Sequence, residues 1–474
     1  MIQVLLILLF AAMHLAPDID PWLPVHPSLS IALMLWLVPL MTAVMAHGLL
    51  ARRAGAAMDR HGETRAFVTA ELFASRIRVA GLFWYLTVML GAGWVMHART
   101  LGAGLVVADV LLVVGPPVAF LGALWWNMYP LEARLREALL YRQIDSGAPV
   151  YEIPTRWQFV WGQIKHHVLL ILMPVLLIST WDGLLDLIVE HRASQWPWFS
   201  AIEPFLRWCG IAGALIAAPS LLKWLWSTVL LQSGPLVANF TSMCECYNVR
   251  IRGPYIWRTH GAMVNGAVLG AFWPLRYLLL TDALVEQLDS IQVEGVLAHE
   301  VAHVKMRHMA WLLVSVIASV LLTGWLCSFA ALAWGLDSQS ELVGVLASLA
   351  SLAAAVLVFG TVSRRFEWQA DAFAVRHLSH VRASDTITPM ASHAMESALG
   401  RVAHLNGVAV HAFSWRHGSI LTRQNRLREL IGTQGAKLPI DRTVRRIKLL
   451  SVLVCLLGGA PLVWEWWSGV PLTI

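Results

Sequence analysis

The stretch "GVLAHEVAHVKMRHMAW", residues 295–311, sets His299 and His303 four residues apart with Glu300 between them. On a helix, residues at that spacing share one face about one turn apart, which lets two imidazoles hold the same tetrahedral Zn2+. A hydrolytic zinc site needs more than two ligands. It also needs a third protein donor, a position left for water, and a base for the water's proton. Glu300, next to the first His, is the natural base. A second stretch, "RRFEWQADAFAV" from Arg364, offers Glu367 as the third ligand and Asp371 one helical turn later. A carboxylate placed there can accept the free ring N–H of a ligating His and fix its tautomer. The three-histidine pattern HExxHxxGxxH is excluded, because positions 306 and 309 are both Met. His308, about 140° round a continuous helix from His303, is not expected to be a ligand.

Two helices must carry these residues. Asp289, three residues before Gln292, is a capping-box-like start, and Ile291, Val293, Val296, Leu297, Val301 and Val304 fit a buried helix running through His303. The second helix lies beyond two long apolar runs, 310–335 and 342–363, so the motifs meet across a hairpin of two membrane spans.

That hairpin belongs to a chain built for a bilayer. Of 474 residues, 58% are hydrophobic and only 14% charged, and the mean hydropathy is +0.63, against about 25% charge in soluble domains. Further runs long enough to span occur near 28–49, 79–97, 101–126, 167–188, 205–232 and 447–469. The opening run "IQVLLILLFAAMHLA" lacks a basic leader and a clear cleavage site, and is expected to be a short first span rather than a signal peptide. Nine spans alternate the connecting segments between two sides. Segments 50–78, 127–166, 233–309 and 364–446 are rich in Arg, whereas 16–27 and 336–341 have no Lys or Arg, and 98–100 and 189–204 have one Arg each. The positive-inside rule then places the N-terminus and both motif-bearing segments in the cytoplasm. The net charge of +6 reports this topology, and no nucleic-acid partner is expected. The odd count of five Cys argues against a disulfide framework, and the lone Cys244-x-Cys246 is a weak metal signal.

Taken together, "LLLTDALVEQLDSIQVEGVLAHEVAHVKMRHM" and, after the hairpin, "RRFEWQADAFAV" resemble the integral-membrane zinc metalloproteases that include the CAAX prenyl protease and the bacterial heat-shock membrane protease. That family pairs HExxH with a distal ExxxD, and the resemblance spans roughly residues 245–430. It implies zinc on His299, His303 and Glu367. "MVNGAVLGAFWPLRYLLLT" is similar to the family's Asn-Ala-x-x-x-Gly region, where an edge strand holds extended substrate; Asn265 and Gly270 match, with Gly266 in place of Ala. "WRHGSILTRQNRL" resembles its late His-Pro…Arg motif through His417 and Arg423, with Gly418 in place of Pro. A protonated His or an Arg near zinc would stabilise the oxyanion of a tetrahedral intermediate.

The expected fold is an all-α polytopic membrane protein of about eight or nine spans, with a small, mainly helical, zincin-like cytoplasmic domain carrying a short β edge or hairpin. Its expected parts are an N-terminal transmembrane region (1–232), a first catalytic segment (233–309), the hairpin (310–363), a second catalytic segment (364–446) and a last span (447–474). The expected activity is cleavage of membrane or membrane-associated proteins at the cytoplasmic face, with the bacterial inner membrane as the location. Within the N-terminal region, Asp109, Asp182, Asp186 and Lys223 are charges in apolar runs. They line a hydrated chamber or sit near interfaces. Two other classes fit the sequence less well: a catalytically idle scaffold, and a transporter with a structural zinc site.

Overall fold

A computed structural model describes residues 2–19, 27–61, 64–103, 105–146, 150–192, 198–336, 340–381 and 383–468. The chain divides into two compact units, Met1–Trp226 and Ser227–Ile474.

The first unit is helical throughout: α1 (Ile2–Ile19), α2 (Leu29–His61), α3 (Thr64–Gly91), α4 (Trp94–Leu101), α5 (Val106–Ser146), α6 (Arg156–Gln163), a π-helical turn over Ile164–Leu169, α7 (Leu170–Arg192) and α8 (Phe199–Leu225). Its core joins Leu6, Leu40, Leu82, Tyr85, Leu121 and Leu124, with the Tyr85 hydroxyl donating to the Val113 carbonyl at 2.7 Å. Satisfying that hydroxyl is what lets a tyrosine be fully buried. Two of the charges in the apolar runs, Asp182 and Asp186, share one partner. Arg207 on α8 lies 3.6 Å from Asp182, 2.5 Å from Asp186 and 2.5 Å from Glu203, so the α7 carboxylates are paired across α7 and α8. Asp109 is buried in the first turn of α5, where the helix dipole favours a carboxylate.

The second unit begins with β1 (Thr228–Leu230), α9 (Pro235–Cys246), β2 (Arg252–Trp257), β3 (Gly266–Leu269) and β4 (Tyr277–Thr281). The strands form one sheet in the order β1-β2-β4-β3, with β2 parallel to β4 and the outer pairs antiparallel. This is more β structure than the short edge or hairpin expected. The apolar run placed at 205–232 in fact stops as a helix at Leu225, and its end becomes β1; Val229 and Leu230 are β-branched and aliphatic residues equally suited to a strand. The run near 79–97 is likewise broken: α3 ends at Gly91, and Gly93, at φ 58°, reverses the chain into α4.

After the sheet come α10 (Asp282–Gln287), α11 (Ser290–Lys305), α12 (His308–Ala333), α13 (Glu341–His380), α14 (Pro389–Leu405), α15 (Ile420–Glu429) and α16 (Pro439–Ser468). The expected capping box is present, with Gln292 Oε1 accepting from the Asp289 N–H at 3.1 Å. Among the described residues, seven helices are long and apolar enough to cross a membrane, including α12 and α13 of the hairpin. Helix α13 runs unbroken for 40 residues, so one rigid rod carries both the span and the ExxxD motif. Val362 and Phe366 on it pack with Val444 of α16 and with Trp311 and Leu312 of α12, tying the hairpin to the base of the motif-bearing region.

Candidate metal centre

Helices α11 and α13 bring the two motifs together. His299 is buried on α11 and His303 half-buried one turn later, with their Nε2 atoms 3.2 Å apart. Glu367, buried on α13, places Oε2 3.7 Å from His299 Nε2 and Oε1 3.7 Å from His303 Nε2. These three side chains form the single cluster among the described residues whose donor atoms, all within 4.8 Å of one another, could share one metal ion. Neither Cys244 nor Cys246 belongs to it, and both are free thiols.

The surroundings show why these atoms converge. Asp371 Oδ1 lies 3.0 Å from His299 Nδ1, off the line of a well-formed hydrogen bond but close enough to hold the ring proton on that nitrogen by charge. The Nδ1 of His303 faces His308 Nδ1 at 3.0 Å. With each Nδ1 turned to its own partner, both Nε2 lone pairs point into the cluster beside a carboxylate. Two imidazoles and one carboxylate arranged in this way fit a zinc site with room for a further ligand. Burial holds His303 well below the usual imidazole range, so it is neutral and its lone pair is available.

Glu300 is on the same helix and is not one of the converging donors. Its Oε2 accepts the N–H of Val268 on β3 at 3.1 Å. Burial pushes its pKa up to about 7, with the Glu367 carboxylate acting in the same direction, against the Val268 N–H and the Arg423 guanidinium, which favour ionisation.

Arg423, buried on α15, grips Asp371 with Nε and Nη2, each at 2.7 Å, and reaches Glu367 with Nη1 at 3.4 Å. The expected oxyanion role therefore has a competitor, since this guanidinium is committed to two carboxylates. His417, with its side chain 44% exposed, puts Nδ1 3.1 Å from Glu367 Oε2 and keeps a face toward solvent. Gly418 sits at φ +75°, a conformation closed to proline, in a turn where the Ser414 and Gly418 backbones bond each other at 2.7 and 3.1 Å. The local turn thus differs from one built on His-Pro.

Asn265 is exposed immediately before β3. Its backbone N–H donates to Thr281 Oγ1 at 3.0 Å and its carbonyl accepts from the Thr281 N–H at 3.0 Å. β3 is an edge strand, and Gly270, which ends it, needs its glycine: at φ +90°, a Cβ would come within 1.9 Å of the Leu275 carbonyl oxygen. Sequence reasoning missed the Val268 amide and His308. A backbone donor leaves no mark in a sequence. The His308 contact arises because α11 stops at Lys305 and Arg307, at φ 56°, turns the chain before α12 begins. No residue type at that position signals the break.

Residues 259–431, which hold the sheet edge, both motifs, His417 and Arg423, match the family model for peptidase family M48. No curated protein matches the chain significantly. Among solved structures, the chain is similar to the crystal structure of Ste24p from S. mikatae, at 13% identity and a TM-score of 0.44, over 85% of this chain and 99% of that one. Residues 259–431 thus match peptidase family M48 as a domain, with its HExxH and ExxxD helices joined by an apolar hairpin long enough to cross a membrane.

Proposed function

We propose that the protein is a zinc-dependent endopeptidase, with His299, His303 and Glu367 as ligands and Glu300 as its general base. It cleaves membrane or membrane-tethered proteins at the cytoplasmic face of the membrane, by the topology that the Arg-rich segments imply. The observation that carries this reading is the convergence of two Nε2 atoms and the Glu367 carboxylate beside a second carboxylate, Glu300, that does not converge with them. A structural zinc site is normally closed by four protein ligands, and the cluster here offers three, which favours hydrolysis over a structural role. Zinc bound there would supply Lewis acidity toward a water and the scissile carbonyl.

The chain's own groups supply the rest. Glu300, poised at about 7, can take a proton from the attacking water and return it to the leaving amine near neutral pH. The Val268 N–H holds one of its carboxylate oxygens, which fixes the direction of transfer. Asp371 steadies the His299 ring, and Arg423 balances the charge of Asp371 and Glu367, so both carboxylates stay ionised out of water. The half-exposed His417 is the group best placed to reach a developing oxyanion. Pairing of β3 with β4 leaves the main chain of Gly266 and the carbonyl of Val268 facing the open edge by strand alternation, while the Val268 N–H is taken by Glu300. An extended substrate can add there through main-chain hydrogen bonds that read little of its sequence, with Asn265 at the entry to the edge.

The test is cleavage of an unfolded membrane protein in detergent by the wild type and by Glu300→Gln, with zinc content measured on both. Since Glu300 is not a ligand in this reading, zinc should stay near one per chain while cleavage falls about 10²- to 10⁴-fold. Equal cleavage by the variant, or a zinc-loaded wild type that cleaves nothing, refutes the assignment.

A further inference from the structure

Beyond the candidate ligands, a line of buried polar side chains leads away from His303 across three helices. His303 Nδ1 lies 3.0 Å from His308 Nδ1. His308 Nε2 lies 3.0 Å from Gln369 Oε1 on α13, and Gln369 Nε2 lies 2.6 Å from Asp441 Oδ1 at the start of α16. His308 and Gln369 are 3% and 5% exposed, so water does not compete for these bonds.

The proton positions along this line follow from its two ends. If His303 ligates through Nε2, its proton sits on Nδ1, which must donate to His308 Nδ1. A neutral His308 that accepts at Nδ1 carries its own proton on Nε2, which then donates to Gln369 Oε1. With its oxygen accepting, the Gln369 amide nitrogen donates to Asp441, a carboxylate that can only accept when ionised. Every link agrees with one direction, and reversing it would ask the Asp441 carboxylate to donate.

The surrounding structure holds the line in place. Arg307 adopts a left-handed conformation at φ 56°, unfavourable for a residue with a Cβ, and this returns His308 to His303 instead of leaving it round the helix. The His308 ring lies flat on Phe366, with centroids 4.5 Å apart and planes 5° from parallel. Lys448 Nζ donates to the Met306 carbonyl at 3.0 Å and secures the turn from the α16 side.

We propose that His308, Gln369 and Asp441 form a hydrogen-bond relay that fixes the tautomer and ring orientation of His303 and thereby sets the affinity of the centre for its metal. The two histidine ligands are then steadied differently, His299 by a carboxylate at its Nδ1 and His303 through this line. These are positioning residues, and their role rests on the metal-centre reading above.

The measurement is the zinc dissociation constant of the purified full-length protein in detergent, by competition with a chromophoric chelator. His308→Phe keeps the ring stacked on Phe366 but removes the acceptor, and should weaken zinc binding about 10- to 100-fold. His308→Asn loses the stack but restores an acceptor near the position of Nδ1, and should recover most of that loss. Gln369→Leu leaves the histidine pair intact and should weaken binding in the same direction, so it decides the question if His308→Phe does not fold. Wild-type affinity in His308→Phe or in Gln369→Leu overturns the relay, as does equal weakening by Phe and Asn, which would assign the effect to packing. A wild type that binds no more zinc than His303→Ala refutes the metal centre itself and the relay with it.

Discussion

Arg423→Met tests how the centre tolerates so many carboxylates away from water. Arg423 makes two 2.7 Å hydrogen bonds to Asp371 and a 3.4 Å contact to Glu367, with side-chain exposures of 8%, 3% and 9% for the three groups. At such burial solvent screening is weak, and removing one partner leaves charges without compensation, at a cost of about 3–5 kcal/mol. In a unit the size of Ser227–Ile474, each kcal/mol moves the midpoint about 2–4 °C, so the metal-free variant should unfold about 6–20 °C below the metal-free wild type. Methionine is close to arginine in reach and fills most of the space, so a lost cavity contributes little. The double variant Asp371→Leu with Arg423→Met removes both charges of the bidentate pair and should recover much of the loss, giving a coupling energy of at least ~1 kcal/mol. Thermal unfolding followed by tryptophan fluorescence in detergent, with EDTA present throughout, reads all four proteins. A shift under ~2 °C for Arg423→Met, or strict additivity in the double variant, would show that the guanidinium carries no structural charge balance and free it for the oxyanion role.

Three further outcomes follow from single contacts. Val268→Pro removes the amide that anchors Glu300, at an outward position of an edge strand where proline is tolerated; cleavage should fall while zinc content, read by elemental analysis, stays at the wild-type value. Gly270→Ala forces a Cβ to within 1.9 Å of the Leu275 carbonyl at φ +90°, and should lower the thermal midpoint by more than the ~1 kcal/mol typical of Gly-to-Ala strain; an unchanged midpoint would refute the need for glycine there. Zinc bound only by the folded state should raise the midpoint of the wild type by the linkage expected from its dissociation constant, ~4 kcal/mol at a thousandfold excess, and should leave Glu367→Ala much less stabilised.

The convergence of His299, His303 and Glu367 was more legible in the sequence than the details of the fold around them. That His299, Glu300, His303, Glu367 and Asp371 would lie together could be expected because helical spacing fixes which residues share a face, and the apolar hairpin between the motifs brings their two helices side by side. The capping box at Asp289 and Gln292 is similarly local, and it is present. What failed depends on contacts between distant residues. The strand character of 228–230 hides in an apolar run because β4, buried at every position, and β2 create a place for it only in three dimensions. The pairing of Asp182, Asp186 and Glu203 with Arg207 joins two helices whose facing register no periodicity reveals. The position of His308 fails for a different reason: a helix was extrapolated through Arg307, where the chain takes a conformation that sequence alone does not announce.

The continuity of α13 gives the centre a definite relation to the bilayer. The apolar run of this helix ends near residue 363 and Glu367 follows four residues later, a rise of about 6 Å along the axis. No hinge intervenes, and the tight packing of Val362 and Phe366 on α16 and α12 holds the rod in place on its neighbours. A site fixed at that height cannot swing out to meet a soluble substrate far from the membrane. It suits a polypeptide whose own anchor keeps it beside the headgroups, since tethering replaces a three-dimensional search by a high local concentration. On this argument, releasing a substrate from its anchor should raise the apparent KM without changing kcat, because the cleft and its chemistry stay the same. The comparison is one substrate sequence with and without a transmembrane anchor in proteoliposomes. Equal KM for the two forms would mean that the edge strand alone captures substrate, and that the membrane serves only to hold the enzyme.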